Sequence, residues 1–382
     1  MSLIKRRLLT PGPTPVLPEA ALAMAAPLLN HRKDDFKRMF RDCVEMLKVV
    51  FQTKSDPIIL TSSGSGAMEA AVTNLLSPGD KALVVVGGKF GERWEELCRA
   101  YCVEVTRLDV DWGSSVNVND IAARLDRVAD VKAVFVQATE SSTGAANDIA
   151  ALGQLVSRYP DTILVVDAIT GLGCAPIHTD AWNLDVVIGG SQKAFMLPPG
   201  LAFLSVSEKA WARITTNRRP RFYFDLLKEQ REQKSGQTSF TPAISLIQGL
   251  YAALKYITEL GIDNLVAHAA TQAAITRAAI QAMGLRLVAV HPANALTAVY
   301  NPVGIEGSKL IAELNRQFGL IMSGGQGQLK GKIFRIAHLG YFDFCDTLST
   351  IGCLELVLYQ LGYPLSLGAG LQAAQQAYVK RS

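Results

Sequence analysis

Leu164-Val165-Val166-Asp167 and Gly190-Ser191-Gln192-Lys193 are the stretches whose reading decides the fold. Each follows an apolar run, Thr162–Val166 before the acid and Asp185–Ile188 before the lysine. Such runs, set between helical patterns, predict buried parallel strands. An acid leaves the C-terminal end of one strand and an amine leaves the end of the next. A carboxylate and a primary amine therefore meet at one edge of one sheet. Beyond Lys193 comes Leu201-Ala202-Phe203-Leu204, a setting that does not suit a solvated loop.

The alternation extends outward from this pair. Strands are predicted at Pro57–Leu60, Ala82–Val86, Val103–Leu108 and Ala133–Gln137. Helices fall between them at Ala67–Leu76, Phe90–Tyr101, Val118–Val128 and Ile149–Arg158. This is the pattern of a mostly parallel sheet covered on both faces, which binds ligands beyond the carboxyl ends of its strands. From Thr241-Pro242 a long helix runs to about Leu260, with Gly261 as its stop, and a second covers Asn264–Met283. Strands at Leu285–Val290, Thr297–Tyr300 and Ile333–Ala337 then mix with helices Gly307–Phe318 and Phe342–Leu361. The expected fold class is α/β with a smaller α+β C-terminal domain. The expected division is an N-terminal arm of residues 1–15, a large domain of 16–260 and a small domain of 261–382. Residues 213–236 carry seven cations and few aliphatics, which suits a solvated, partly mobile excursion or a cover over a site. The tail Gln372–Ser382 is expected to fray.

The 382 residues suffice for a large core, and only 19% are charged. A net charge of +4 implies no nucleic-acid partner. The six cysteines make no CxxC pair, so they read as reduced core thiols, with no metal site expected. Lys5-Arg6-Arg7 imitates a signal peptide, but Pro11, Pro13, Pro15 and Pro18 interrupt any apolar helix behind it. No stretch is long and apolar enough to span a bilayer, so the expected location is cytoplasmic.

Pyridoxal 5'-phosphate requires the Asp167–Lys193 pair: an amine to condense with its aldehyde and an acid to keep its ring nitrogen protonated. Thr61-Ser62-Ser63-Gly64-Ser65-Gly66, between a strand and a helix, offers free amides to a phosphate, although such a turn also serves as an ordinary helix cap. Glu140-Ser141-Ser142-Thr143-Gly144 follows a strand and brings hydroxyls to the same edge, or forms a plain polar turn. Phe90 can lie flat on an aromatic ring, or fill core. Arg335, inside the apolar strand Ile333–Ala337, needs an anionic partner. A substrate carboxylate or a structural acid would satisfy it. His338 reads as a neutral core histidine.

These motifs together resemble the class V aminotransferases of fold type I, the group of alanine–glyoxylate and serine–pyruvate aminotransferases. The likeness runs from Leu9-Thr10-Pro11-Gly12-Pro13-Thr14 to Arg335–Gly340. It rests also on Ser63-Gly64-Ser65 with Ala67-Met68-Glu69, on the Glu140–Gly144 turn, and on Ser191-Gln192-Lys193 with Pro198-Pro199-Gly200. The resemblance implies Lys193 as the Schiff-base lysine and Asp167 as the partner of the ring nitrogen. It implies Ser63, Gly64, Ser65 and Gln192 at the phosphate, Ser141 at the ring's 3-oxygen, and Phe90 and Ile169 on the two ring faces. Arg335 would take the substrate carboxylate, near the Gly12 backbone. Thr241 or Thr238 would reach the phosphate of the other subunit in a homodimer with shared active sites.

Two departures concern the amino donor. The stacking residue is usually Trp and here is Phe90, and a tyrosine near the partner phosphate is missing from Gln237–Thr241. The implied reaction is transamination of a small amino acid, alanine or serine, with glyoxylate or pyruvate. Ureidoglycine and phosphoserine enzymes have similar sequences. A cysteine desulfurase of the same fold would need a mobile cysteine and a stacking histidine, yet Ser323–Gln328 has no cysteine and Phe90 takes the stacking place. Proteins like this one have also been labelled soluble hydrogenase subunits, but no cluster-ligand spacing supports redox chemistry here.

Overall fold

The computed structural model describes residues 4–380. Seven strands form the main sheet: β1 (Ile58–Leu60), β2 (Lys81–Val86), β3 (Glu104–Asp109), β4 (Val131–Gln137), β5 (Ile163–Asp167), β6 (Val186–Gly190) and β7 (Ala202–Val206). Their spatial order is β1-β7-β6-β5-β4-β2-β3. β7 runs antiparallel to both of its neighbours, and the other pairings are parallel. β1, β2, β4, β5 and β6 therefore deliver their carboxyl ends to one edge.

The apolar runs are continuous because both sheet faces are covered. Leu164 and Val166 enter one core with helices Asp34–Phe51 and Ile244–Leu260. Ile163 and Val165 enter the other, under helices Gly64–Leu75 and Lys89–Ala100. The period-2 alternation then aims Asp167 toward the second face, where the two helices begin. Register pairs Asp167 with Gln137 on one side and Ile188 on the other.

Beyond Gly261, whose φ of 85° ends the preceding helix, a three-stranded antiparallel sheet is built from Leu296–Tyr300, Ile333–Ala337 and Ser323–Gly324. Helices Ile262–Ala282, Gly307–Phe318, Phe344–Gln360 and Ala369–Val379 enclose its core. Arg7–Leu8 pairs in parallel with Leu320–Ile321 in a separate two-stranded sheet beside it. Among the described residues no helix is long and apolar enough to cross a membrane.

Three sequence expectations change. Leu285–Val290 makes a single bridge, Leu287 to Val299, and hydrogen bonds such as Val288 N–H to the Ala298 carbonyl (3.0 Å), but no regular strand. The tail is helical to Val379 because Ala374 is buried in the C-terminal core; Arg381 and Ser382 lie outside the described residues. The basic segment 213–236 is pinned rather than loose. Arg213 donates to the Leu75 carbonyl (2.8 Å) and to Asp80 (2.8 Å), and Arg219 donates to the Leu76 carbonyl (2.9 Å). These cations sit at the carboxyl end of the Gly64–Leu75 helix, where its dipole favours positive charge.

Phe203 on β7 is fully buried, 4.7 Å from the Phe195 ring just past Lys193. Phe203→Ala is expected to lower the unfolding free energy by about 3–5 kcal/mol. The shift of the urea midpoint measures it, and a loss below about 1 kcal/mol would contradict a tightly packed ring.

Candidate active site

Asp167 closes β5 and is buried, with one carboxylate oxygen accepting the Ile169 N–H at 3.0 Å. Burial pushes its carboxyl up to about 6, against that hydrogen bond and the nearby Lys193 charge. Lys193 lies in the turn after β6 and is buried as well. Its Nζ donates to the Pro11 carbonyl. Burial draws the amine down to about 8, and Asp167 opposes that fall. The turn itself is clamped: Ser191 Oγ donates to the Pro198 carbonyl (2.7 Å), and Thr14 Oγ1 donates to the Lys193 carbonyl (2.9 Å). Gly12, at φ 146°, passes so close that a Cβ there would lie 2.6 Å from Lys193 Cε.

Both side chains line a cavity of about 250 Å³. Ser63, Gly64 and Ser65, at the end of β1, form one wall. The helix they open has no side-chain cap, and of its first amides the Ser63 carbonyl takes only the Gly66 N–H (2.9 Å). Gly64 is required by close approach, since its Cβ would meet Ile169, another lining residue. Gln192 adds a buried side-chain oxygen with no hydrogen-bond partner.

Phe90 and Ser141 line the same cavity. Glu140 fixes both. Its buried carboxylate accepts the Phe90 N–H (3.0 Å) and Gly91 N–H (3.1 Å), and also the Ser142 N–H (3.1 Å) and Oγ–H (2.6 Å). Arg335 stands behind Ser141 and donates to its carbonyl at 2.8 Å and to the Gly324 carbonyl at 3.0 Å. It is buried, and no carboxylate among the described residues lies within ion-pair distance of it. Desolvation lowers its guanidinium pKa, and the Glu140 charge partly restores it.

Arg335 stays behind this wall without lining the cavity, and two further expected residues stand apart. Thr238 spends its hydroxyl on the Phe240 carbonyl (2.6 Å), and Thr241 is exposed; neither lines the cavity. Their segment still passes close by, since Ala243 N–H donates to Thr61 Oγ1 at 3.1 Å. His338 is buried, its pKa drawn down to about 3 by desolvation, with Nε2 2.7 Å from Thr297 Oγ1. A larger cavity of about 480 Å³, lined by His268, Tyr341 and Asp343 among others, includes neither Asp167 nor Lys193.

The sequence reading missed Arg93, which lines the cavity. It also assigned Glu140 no task. The available signal was spacing: Arg93 follows Phe90 by three positions in a helix, which puts both on one face.

A flat ring carrying a phosphate fits these walls. The amides and close backbone at Gly64 suit an anion, Gln192, whose oxygen has no partner, can turn its NH2 toward that anion, and acid and amine lie across the same space.

The class V aminotransferase profile matches residues 22–333. The chain is 39% identical to the soluble hydrogenase 42 kDa subunit of Anabaena cylindrica, covering 98% of this chain and 99% of that one. It is 35% identical to an L-aspartate–glyoxylate aminotransferase of Paracoccus denitrificans, covering 96% and 95%. It is 32% identical to a serine–glyoxylate aminotransferase of Arabidopsis thaliana, covering 97% and 94%. Among solved structures, an aspartate aminotransferase of subgroup IV from Thermus thermophilus superposes with a TM-score of 0.87 at 33% identity, covering 93% and 99%. The shared architecture is fold type I.

A raised carboxyl pKa gives a definite sign to the pH dependence. Asp167 contributes stability that is present below about pH 3.8 and is lost as pH rises through 6, because the folded state holds the proton longer. In cofactor-free protein, the stability difference between Asp167→Asn and the parent should therefore grow in favour of Asn by about 2–3 kcal/mol between pH 4 and 7. Denaturant titrations of both proteins across that range measure it, and a flat difference would refute the burial argument.

Proposed function

Since the chain belongs to the class V aminotransferases, we propose that it moves the amino group of alanine or serine to glyoxylate or pyruvate. Its cofactor is pyridoxal 5'-phosphate, which when bound supplies the electron sink for the charge left at the substrate's α-carbon. In this reading Ser63, Gly64, Ser65 and Gln192 hold the phosphate. Phe90 and Ile169 flank the ring, Ser141 meets its 3-oxygen, and Asp167 holds a proton on its nitrogen. Lys193 would hold the cofactor covalently and, once released by the incoming substrate amine, its Nζ would take up and hand back the α-proton; burial favours the neutral amine that this requires. One product leaves before the second substrate enters, so ping-pong kinetics follow.

Arg335 carries the substrate class. A buried guanidinium with no acid partner, bonded to the carbonyl of a cavity-lining serine, calls for one carboxylate. The Gly12 backbone lies on the same side as Lys193 and would adjoin that carboxylate. Both relatives named as glyoxylate aminotransferases support glyoxylate as acceptor.

The same proposal places the enzyme in the cytoplasm as a homodimer with shared active sites. Thr238 or Thr241 would reach the partner's phosphate, in keeping with their position outside this chain's own cavity. It divides the chain into an arm of residues 1–15, a large domain of 16–260 and a small domain of 261–382. The hydrogenase-subunit name of one relative offers a partner-binding alternative. Purified protein that stays colourless after incubation with pyridoxal 5'-phosphate would favour that alternative.

Lys193→Ala should remove the visible absorbance of the loaded enzyme and lower turnover by at least about 10³-fold. Turnover within tenfold of the parent would exclude the assigned role. A panel of single amino acids, scored by growth of pyridoxamine absorbance without any acceptor, should give its fastest half-reaction with alanine or serine. A fastest response to aspartate would replace that donor assignment.

A further inference from the structure

We infer that Arg93 is a cofactor-binding residue that supplies the cation opposing the phosphate. This rests on the cofactor reading above and adds a residue to it. Two cations line the cavity, Lys193 and Arg93. Lys193 is held at the Pro11 carbonyl, on the side of Asp167. Arg93 lies at the other wall, where its Nη1 donates to Ser65 Oγ at 3.1 Å. Its guanidinium also stands over the Phe90 ring, 4.8 Å from the centroid.

No acid among the described residues claims this charge. Among the described residues Arg93 has no ion pair, whereas Lys89 in the preceding turn is matched by Glu92. A guanidinium has five N–H donors, and the Ser65 bond uses one. The cradle of Ser63, Gly64, Ser65 and Gln192 is otherwise neutral. A dianion seated on amides and hydroxyls alone would remain poorly compensated away from water. Arg93 brings a planar, permanently charged fork to that wall, and bidentate phosphate contacts suit such a group.

The geometry also links two tasks. The helix that begins at Lys89 presents Phe90 to the ring and, one turn later, Arg93 to the phosphate side. The cation–π contact keeps the guanidinium from swinging out to solvent. Ring and phosphate are thus gripped from one helical turn.

The test separates phosphate recognition from ring stacking. Full-length Arg93→Gln and Arg93→Lys are freed of cofactor and titrated with pyridoxal 5'-phosphate and with pyridoxal, which lacks the phosphate. Circular dichroism and the melting temperature check that both variants fold. Arg93→Gln should weaken pyridoxal 5'-phosphate by about 10- to 100-fold and change pyridoxal by less than about twofold. Arg93→Lys should recover part of the loss, and inorganic phosphate should compete less well against the Gln variant. Equal losses for both ligands would overturn the inference, because Arg93 would then act only through Phe90. An unchanged phosphate-ester affinity would overturn it too. Parent protein that binds neither ligand would instead reject the cofactor assignment for this chain, so the two failures are distinct.

Discussion

An acid and an amine withdrawn from water at the same sheet edge are the constraint on which this structure turns. Neither Asp167 nor Lys193 gains from burial alone; desolvation is the first cause of both pKa shifts, and it opposes the charged form in each. The pair persists because the surroundings leave little freedom. Asp167 is the last residue of a central strand with neighbours on both sides. Lys193 sits in a turn sealed by Ser191, Pro198 and Thr14. The two hydrophobic cores fix the strands, and the strands fix the pair. The cost of holding both groups ready is spread over a large, well-packed sheet, while the functional groups are left undersatisfied.

Residues 9–14 have more influence on this site than their lack of regular structure suggests. Leu9 N–H donates to the Ile321 carbonyl (2.8 Å), and its own carbonyl accepts the Ala337 N–H (3.2 Å). Thr14 then bonds both Gln192, through its N–H at 3.1 Å, and Lys193. Within six residues the arm ties the C-terminal sheet to the lysine turn. Gly12 lies between these anchors, and no side chain fits between it and Lys193. The second sheet and the lysine turn are therefore joined by a short path of hydrogen bonds.

Local pattern made much of this legible. The seven strands are apolar or alternating runs bounded by turn residues, and the strand-end motifs at Ser63, Ser141, Asp167 and Lys193 follow directly from where such runs stop. Arg93 was not found because an Arg on an amphipathic helix looks solvated until the cavity beside it is known. Glu140 was passed over for the opposite reason: besides Ser142, its partners are backbone amides of a helix some fifty positions earlier, which no local window contains. The terminal helix was missed since Ala369–Val379 buries little besides Gly370 and Ala374 and so carries a weak apolar stripe. Residues Leu285–Val290 have strand composition, but their pairing with Leu296–Tyr300 breaks after a single bridge.

Glu140 explains why Phe in the stacking place still makes a coherent site. The helix that carries Phe90 starts against a carboxylate instead of an ordinary side-chain cap, and that carboxylate is held by the Ser142 backbone and hydroxyl as well. A negative group at a helix N-terminus is favourable, and burial increases both its strength and the penalty for losing a partner. Gly88 is needed for this contact, since a Cβ there would come within 2.5 Å of Glu140 Cγ. The same charge acts on Asp167, whose proton it helps retain, and on Arg335, whose positive charge it supports. One buried carboxylate thus sets the position of the stacking ring and biases the acid and the guanidinium on either side of it. A smaller ring gives up contact area relative to Trp, but its placement is fixed by backbone bonds to Glu140, and those bonds do not depend on which aromatic side chain the helix presents.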